Sequence, residues 1–543
     1  MSSLQELRDH FAAALLSTAA DLTWRVLQPI NRMVPEGELP HPEWAPARLM
    51  KSRERSRSPL GVPRTTDSVC PKCVVETRDG IVHQRVGVDV LKHNPGLIKA
   101  DILEEAGRVL MRKGCSRHGP FEDVLASNAE FFRRMESMDL GCDFECAEDS
   151  GVHDHGVWSI RSGAPAFLIV DLTNRCNMKC SPCFMDANNQ GYVHELELAE
   201  IKAAIDQALT YKPRREFNIL FSGGEPTLSP HFLDAVRYAK GLGLQRLHVA
   251  TNGIRFAQDA QYAQEARAAG LHGVYLQFDG VSEARNRHRG VDNLLEVKLQ
   301  ALENIAAAGM RVMLQSTVIN GINDDGVWSV VDFAIRNIDK VFSVVFQPIM
   351  FAGRDENVDD EIRYRQRYTL SQLAEDLQAQ SGADWQPLRD WFPTSVFGAL
   401  GNLLDAIAAP DAKQGSVCCT HHPDTSVFSA LVVNRRTKAW APLSAFFNVE
   451  RFLRDIDLIT STAHGKAAAY IQMALSVLRN YRGQNAPTGF TVKDLLALFE
   501  QANVRSCTNS PDWTPSDLIA IRLISRNIIY FAILWRQDNS LGE

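Results

Sequence analysis

The chain is 543 residues long, with 45% hydrophobic and 23% charged residues and a formal net charge of −7. This is ordinary for a globular protein of about three domains, and the charge gives no general attraction to nucleic acid. The longest apolar runs, such as Ile528–Trp535, fall far short of the about 20 residues that cross a bilayer.

Residues 1–50 form a first segment. Leu4, Leu7, Phe11, Leu15, Leu22, Val26 and Ile30 recur at helical spacing, which predicts a helix over 4–34 packed on the main body. The alternative is an amphipathic segment that touches a membrane or a lipid substrate. Its alanine-rich middle and weakly basic polar face argue against that reading. MSSLQELRDH lacks the basic region and apolar core of a signal peptide. A cytoplasmic protein is expected, peripheral to a membrane only if the alternative holds. Residues 51–65 read as a basic, solvated linker.

Eight of the eleven cysteines precede residue 184, and their clustered spacing favours metal binding over a disulfide framework. In a module over 66–150, Cys70-Pro-Lys-Cys73 predicts a knuckle, Val82–Val90 a strand, and Cys115-Ser-Arg-His118 a second knuckle. Cys70, Cys73 and Cys115, with His118 as fourth, would hold one tetrahedral zinc or iron ion. Cys142 and Cys146 follow, immediately before the main domain.

From about 160 to 360 buried strands alternate with helices. Strands are predicted at 166–172, 217–222, 245–250, 273–278, 311–318 and 341–349, with helices at 194–210, 230–242, 256–269, 292–309 and 325–338. Such βα units argue for an α/β fold with a parallel sheet, and six of them suit an open partial barrel. Active sites of parallel barrels lie at the C-terminal strand ends. The first strand here ends in a loop carrying Cys176, Cys180 and Cys183. Thiolates are the preferred ligands of iron–sulfur clusters, and a cubane normally takes four. Three leave one iron open to something other than a side chain. The other ends carry Ser222-Gly223-Gly224-Glu225-Pro226-Thr227, Thr251-Asn252-Gly253, Gln277-Phe278-Asp279-Gly280, Ser316-Thr317 and Gln347-Pro348. Gly223 and Gly224 allow close backbone approach to a ligand, and Glu225 offers a charged acceptor to an ammonium group. Asn252, Gln277, Asp279 and Thr317 face the same mouth. For each of these the plain reading is a strand-end cap.

Beyond 361 the pattern is mainly helical, with helices at 449–480 and 491–503, a strand at 427–433 and a core or interface element at 517–535. Cys418-Cys419-Thr-His421-His422-Pro423 lies within it, and Cys507 reads as a lone thiol.

The cysteine loop followed by FSGGEPT resembles the radical S-adenosylmethionine (SAM) superfamily. The segments TTDSVCPKC, KGCSRHGPFED, VDLTNRCNMKC, YLQFDG, VINGIND and FQPIMFAGR make it similar to one group. This is the group of the archaeal tetraether lipid synthase and the pterin methyltransferase-like proteins, and the resemblance spans residues 62–435. It implies a partial (β/α)6 radical SAM barrel with an N-terminal metal ribbon and a mainly helical C-terminal region. Cys176, Cys180 and Cys183 would hold a [4Fe-4S] cluster. Gly223, Gly224, Glu225, Pro226, Asn252, Gln277, Asp279 and Thr317 would contact SAM or substrate. Cys142, Cys146 and Cys419 (or Cys418) would hold an additional cluster. Two departures stand out: Asp149 where the group usually has a third cysteine, and Pro182 before the last cysteine of the loop.

The implied reaction is reductive cleavage of SAM to a 5′-deoxyadenosyl radical, which takes hydrogen from an unactivated C–H bond. An external ferredoxin- or flavodoxin-type donor would supply the electron. The cofactor carries the difficult chemistry, so the absence of an acid–base constellation is expected and no catalytic side chain is singled out. Carbon–carbon bond formation between lipid alkyl chains is the first expectation. The alternatives are a methyltransferase of the pterin type with a folate-like methylene donor, and a non-catalytic iron–sulfur or zinc protein.

Overall fold

A computed structural model of the chain describes residues 2–33, 44, 49–50, 60–140, 144–145, 167–349 (without 182, 189–191 and 211–213), 359–407, 412–416, 422–462, 465–495 (without 488–489 and 493) and 516–524. Cys142, Cys146, Asp149, Pro182, Cys418, Cys419, His421 and Cys507 lie outside them, as do Gly353 and Arg354.

The N-terminal helix α1 runs Ser2–Met33. Ala20 and Trp24 face inward against the C-terminal helical region, where Trp24 joins a core with Phe446, Phe452, Ile456 and Val477. Arg479 covers the Trp24 ring, 4.6 Å from its centroid. Leu15, Leu22, Val26, Ile30 and Met33 lie exposed on the opposite face.

The cysteine module is a four-stranded antiparallel sheet of β1 (Arg64–Val69), β2 (Leu97–Glu105), β3 (Arg108–Cys115) and β4 (Gly119–Ala126). Here the structure corrects the sequence reading. Cys70 and Cys73 do form one turn, the Cys70 sulfur accepting from Cys73 N, but Cys70 also caps a helix, α2 (Pro71–Val82). The strand expected over 82–90 is a helix end, a turn and a short 3-10 segment at Val88–His93. Pro71 at the first helical position starts a helix readily, and that helix runs on to Val82, where the expected strand would begin.

The main domain begins with strand β5 (Phe167–Asp171) and continues through β6 (Asn218–Ser222), β7 (Leu247–Thr251), β8 (Gly273–Gln277), β9 (Arg311–Val318) and β10 (Val341–Pro348). Neighbours pair in parallel in this order, as expected of βα units. Helices Leu198–Thr210, Phe232–Gly241, Ala260–Ala269, Leu294–Ala307 and Val327–Arg336 intervene. Alternation along each strand separates two environments. Val170, Ile219, Phe221, Val249, Val274, Leu276, Leu314 and Phe346 pack outward under the helices. Phe167, Leu220, Ala250, Tyr275, Met313 and Val345 fill the concave side.

The C-terminal region contributes more sheet than its helical pattern suggests. A strand at Ser516–Ile524 pairs parallel to β10, and Ser426–Asn434 then pairs antiparallel to it, continuing the sheet. The helix expected over 449–480 is two, Val449–Thr462 and Lys466–Asn480. Trp385 stacks on Trp391 at 5.3 Å, donates to Ser429 Oγ, and meets Trp328 of the barrel helix Val327–Arg336 at 6.4 Å.

Candidate functional site

The cysteine loop leaves β5 at Leu172 and is held open by its neighbours. Asn188 accepts from Cys176 N at 2.9 Å and donates to the carbonyls of Cys176 and Met178. Arg175 donates to both oxygens of Glu195 at 2.9 Å. The two glycines after β6 meet this loop rather than open space. Gly224 N donates to Thr173 O at 2.7 Å and Glu225 N to Arg175 O at 2.8 Å. A Cβ on Gly224 would stand 2.2 Å from Arg175 O, and one on Gly223 2.5 Å from Thr173 O. The expected close approach is therefore to the backbone that flanks Cys176.

Glu225 is 1% exposed, and protein donors engage its carboxylate: Thr227 N and Oγ1, Thr251 Oγ1 at 2.7 Å, and Asn252 N at 2.8 Å. It clasps the ends of β6 and β7 together. Pro226 is buried behind it. Asn252 reaches the cysteine loop directly, its Nδ2 donating to Asn177 Oδ1 at 2.6 Å. Its carbonyl accepts from Lys298, a fully buried amine on the helix Leu294–Ala307. Burial pushes the Lys298 pKa down to about 7.

Asp279 is a second hub. Its buried carboxylate accepts from Thr317 N at 2.8 Å, from Gln277 Nε2, and from Arg289 Nε and Nη2, with His288 Nε2 at 3.1 Å. Burial alone would raise its pKa, but the Arg289 guanidinium and His288 hold it well below the ordinary range. Asn323 ties the carbonyls of Asp279 and Thr317. The expected residues Asn252, Gln277, Asp279 and Thr317 thus assemble at one mouth. Arg289, His288, Lys298 and Asn188 are additions; the basic run RNRHRG after FDG is the sequence signal for the first two.

Cys176, Cys180 and Cys183 come together at that mouth. Burial pushes the Cys176 thiol up to about 12, and Glu225, Cys180 and Cys183 add to the effect. Three neighbouring thiolates with no resident cation would repel one another, and a metal replaces their protons. Among the described residues no fourth cysteine joins them. This donor set fits a [4Fe-4S] cluster with one iron left for SAM.

On the concave side Asp171 Oδ1 and Gln277 Oε1 are buried without a protein partner. Desolvation raises the Asp171 pKa to about 6, against a bond from Ser222. For a carboxyl raised in the folded state, the native form binds more protons than the unfolded one between about pH 4 and 6. Stability from this group is full below pH 4 and lost as pH rises through 6. Asp171→Asn is expected to flatten that fall in urea titrations over pH 4–7, regaining up to about 3 kcal/mol at pH 7. An unchanged slope would refute the assignment.

The ribbon ligands form a closed cage. Cys73 Sγ lies 3.8 Å from Cys115 Sγ, and His118 Nδ1 lies 3.4, 3.4 and 3.6 Å from Cys70, Cys73 and Cys115. A zinc tetrahedron with bonds of about 2.3 Å to sulfur and about 2.0 Å to nitrogen has edges of about 3.8 and 3.6 Å. His118 is therefore placed as the fourth ligand. The backbone N–H groups of Arg117 and His118 hold Cys115 down at about 6, while burial and its thiol neighbours push Cys73 up to about 11. Glu76 Oε1 lies 3.0 Å from His118 Nε2, and Arg117 donates to its other oxygen at 2.8 Å. Outer partners of this kind orient a ligating imidazole, and Glu76→Gln is expected to weaken metal retention about 10–100-fold in chelator competition. Equal retention would make Glu76 incidental.

The ligands expected for an additional cluster, Cys142, Cys146 and Cys418 or Cys419, lie outside the described residues. Among the described residues Glu136, His422 and Asp424 converge. Arg64 bridges the two carboxylates there, Nη2 donating to Asp424 at 2.9 Å and Nη1 to Glu136. A guanidinium occupies the place a cation would take.

Residues 170–334 match the Radical SAM superfamily, and residues 62–127 match the HMPTM N-terminal zinc ribbon domain. The chain is 28% identical over 370 residues to 7,8-dihydro-6-hydroxymethylpterin dimethyltransferase of Methanocaldococcus jannaschii, covering 66% of this chain and 69% of that protein. It is 29% identical over 194 residues to Fe-coproporphyrin III synthase of Methanosarcina barkeri, covering 36% of this chain and 46% of that one. Against GTP 3′,8-cyclase of Paracoccus denitrificans it is 26% identical over 219 residues, covering 38% and 62%. Among solved structures, anSMEcpe with bound AdoMet and Cp18Cys peptide aligns at TM-score 0.32 and 16% identity, covering 63% of this chain and 97% of that one.

Proposed function

We propose that this chain, a radical SAM enzyme that uses a [4Fe-4S] cluster and SAM, transfers one-carbon units to a C–H position of a pterin-like heterocycle. The observation that carries this reading is the pair of unpartnered buried acceptors, Asp171 Oδ1 and Gln277 Oε1, on the concave side of the barrel. An acceptor buried without a partner costs about 1–3 kcal/mol. SAM or a substrate bearing N–H donors repays that cost, and a pterin-like ring offers such donors where a hydrocarbon chain has none. The chain order of ribbon and barrel, and the 370-residue relation to a pterin dimethyltransferase, support the same reading.

The bound cluster and SAM supply the radical that breaks the C–H bond. The chain's own residues hold the geometry. Asn188, Arg175 and the Gly223–Gly224 backbone fix the cysteine loop, and Glu225 clasps β6 to β7. Asp279 binds the end of β8 to that of β9. Carbon would come from a folate-like methylene donor and electrons from a ferredoxin- or flavodoxin-type protein.

A second reading, carbon–carbon coupling of lipid alkyl chains, is favoured by one feature. Leu15, Leu22, Val26, Ile30 and Met33 form an exposed apolar stripe on α1. Product mass separates the two. Incubation with reduced donor, SAM, a folate-like methylene donor, 7,8-dihydro-6-hydroxymethylpterin and an alkyl-chain lipid is expected to add one methylene mass to the pterin per event. A lipid product that has lost two hydrogens, with the pterin returned unchanged, would overturn the methyltransferase reading.

A further inference from the structure

We infer that Arg289 is a positioning and charge-tuning residue that acts through Cys180 and makes the cluster easier to reduce. It sits in the short turn Arg287–Arg289, and its side chain is 12% exposed. Nε and Nη2 are fixed on Asp279, and the same guanidinium hydrogen-bonds the Cys180 sulfur. The backbone repeats the connection: Ser181 N donates to His288 O at 3.1 Å. Gly290, at φ +67°, packs so closely that a Cβ would lie 3.3 Å from Lys179 O. Residues 179–181 of the cysteine loop therefore rest on residues 288–290, and Asp279 anchors that turn to β8.

The physical consequence follows from charge. A cluster that accepts an electron becomes more negative, and hydrogen bonds and net charge at its sulfurs set its potential. A buried guanidinium beside one ligating sulfur stabilises the reduced form strongly where the dielectric is low. The neighbouring charges are distributed unequally. Glu225 faces Cys176, whereas Arg289 faces Cys180, with Asp279, His288 and Lys298 close behind it. Asp279 offsets part of the positive charge and holds the guanidinium in a fixed orientation. The pair would thus favour the reduced form of a cluster held by Cys180.

The test is an EPR-monitored redox titration of the full reconstituted chain, following the signal that Cys180→Ala removes. Arg289→Gln and Arg289→Met are expected to make reduction at least tenfold less favourable, a downward shift of about 59 mV for one electron. Arg289→Lys, which keeps the charge but not the fork, should recover most of it. Neutral variants that titrate with the wild type would overturn the inference, whatever happens to SAM affinity. Loss of the cluster from both neutral variants with unchanged far-UV circular dichroism would also overturn it, leaving Arg289 a structural brace only.

Discussion

Replacement of Cys180 by Ala is expected to reduce formation of 5′-deoxyadenosine from SAM to background in protein treated with dithionite. Iron and sulfide should fall by one cluster while ribbon zinc is retained. Two thiols of the loop would remain, too few to hold a cubane that already leaves one iron without a protein ligand. The converse variant makes the test specific. Cys115→Ser should release the ribbon metal but leave the nucleoside signal, because the two centres lie in separate cores. Ile102, Val109, Ala126, Ala129 and Phe132 pack the ribbon, whereas the cysteine loop hangs from a strand whose Val170 belongs to the barrel core. Nucleoside formation that survives Cys180→Ala would remove the barrel mouth as the site of SAM cleavage.

The parts of this architecture that were legible in the sequence were those with a strict period or spacing. Alternating buried strands gave the six parallel strands nearly to the residue, because each runs between a helix end and a polar strand-end loop. The ribbon ligands followed from C-x2-C and C-x2-H spacing, since a tetrahedral ion needs two close pairs. What escaped was chemistry carried by long side chains across the fold. Arg289 and Lys298 look like solvated charges in a linear reading, yet both are buried and reach strand-end groups. Glu225 reads as an acceptor for an ammonium group, and its carboxylate also takes Thr227 from its own strand end and Thr251 and Asn252 from another, 26 and 27 residues on. The helix at Pro71–Val82 was missed for a local reason. Residues 70–73 read as a knuckle from their cysteine spacing, and the Cys70 cap and Pro71 are the local signals that start a helix there.

Gly224→Ala tests whether the glycine pair serves the loop or the ligand, and the outcome should be severe. Gly224 does not need a left-handed backbone, so the cost is one of space. The added Cβ would meet Arg175 O at 2.2 Å and Arg175 C at 2.7 Å, both backbone atoms adjoining Cys176. Neither can rotate aside as a flexible side chain would. Relief requires the loop to move off the β6 end, with loss of the bonds from Gly224 N to Thr173 O and from Glu225 N to Arg175 O. Overpacking costs about 1–3 kcal/mol and each lost bond about 1 kcal/mol. A loss near 3 kcal/mol at the loop corresponds to about a hundredfold weaker retention of the cluster. Iron content after mild chelation reads this directly, and ribbon zinc should not change. Gly241→Ala is the internal control: it ends a helix, with nothing within 4 Å of an added Cβ. Alanine there should be neutral or slightly stabilising. Wild-type iron retention by Gly224→Ala would mean that the loop yields without cost, and would return the glycines to the role of ligand approach.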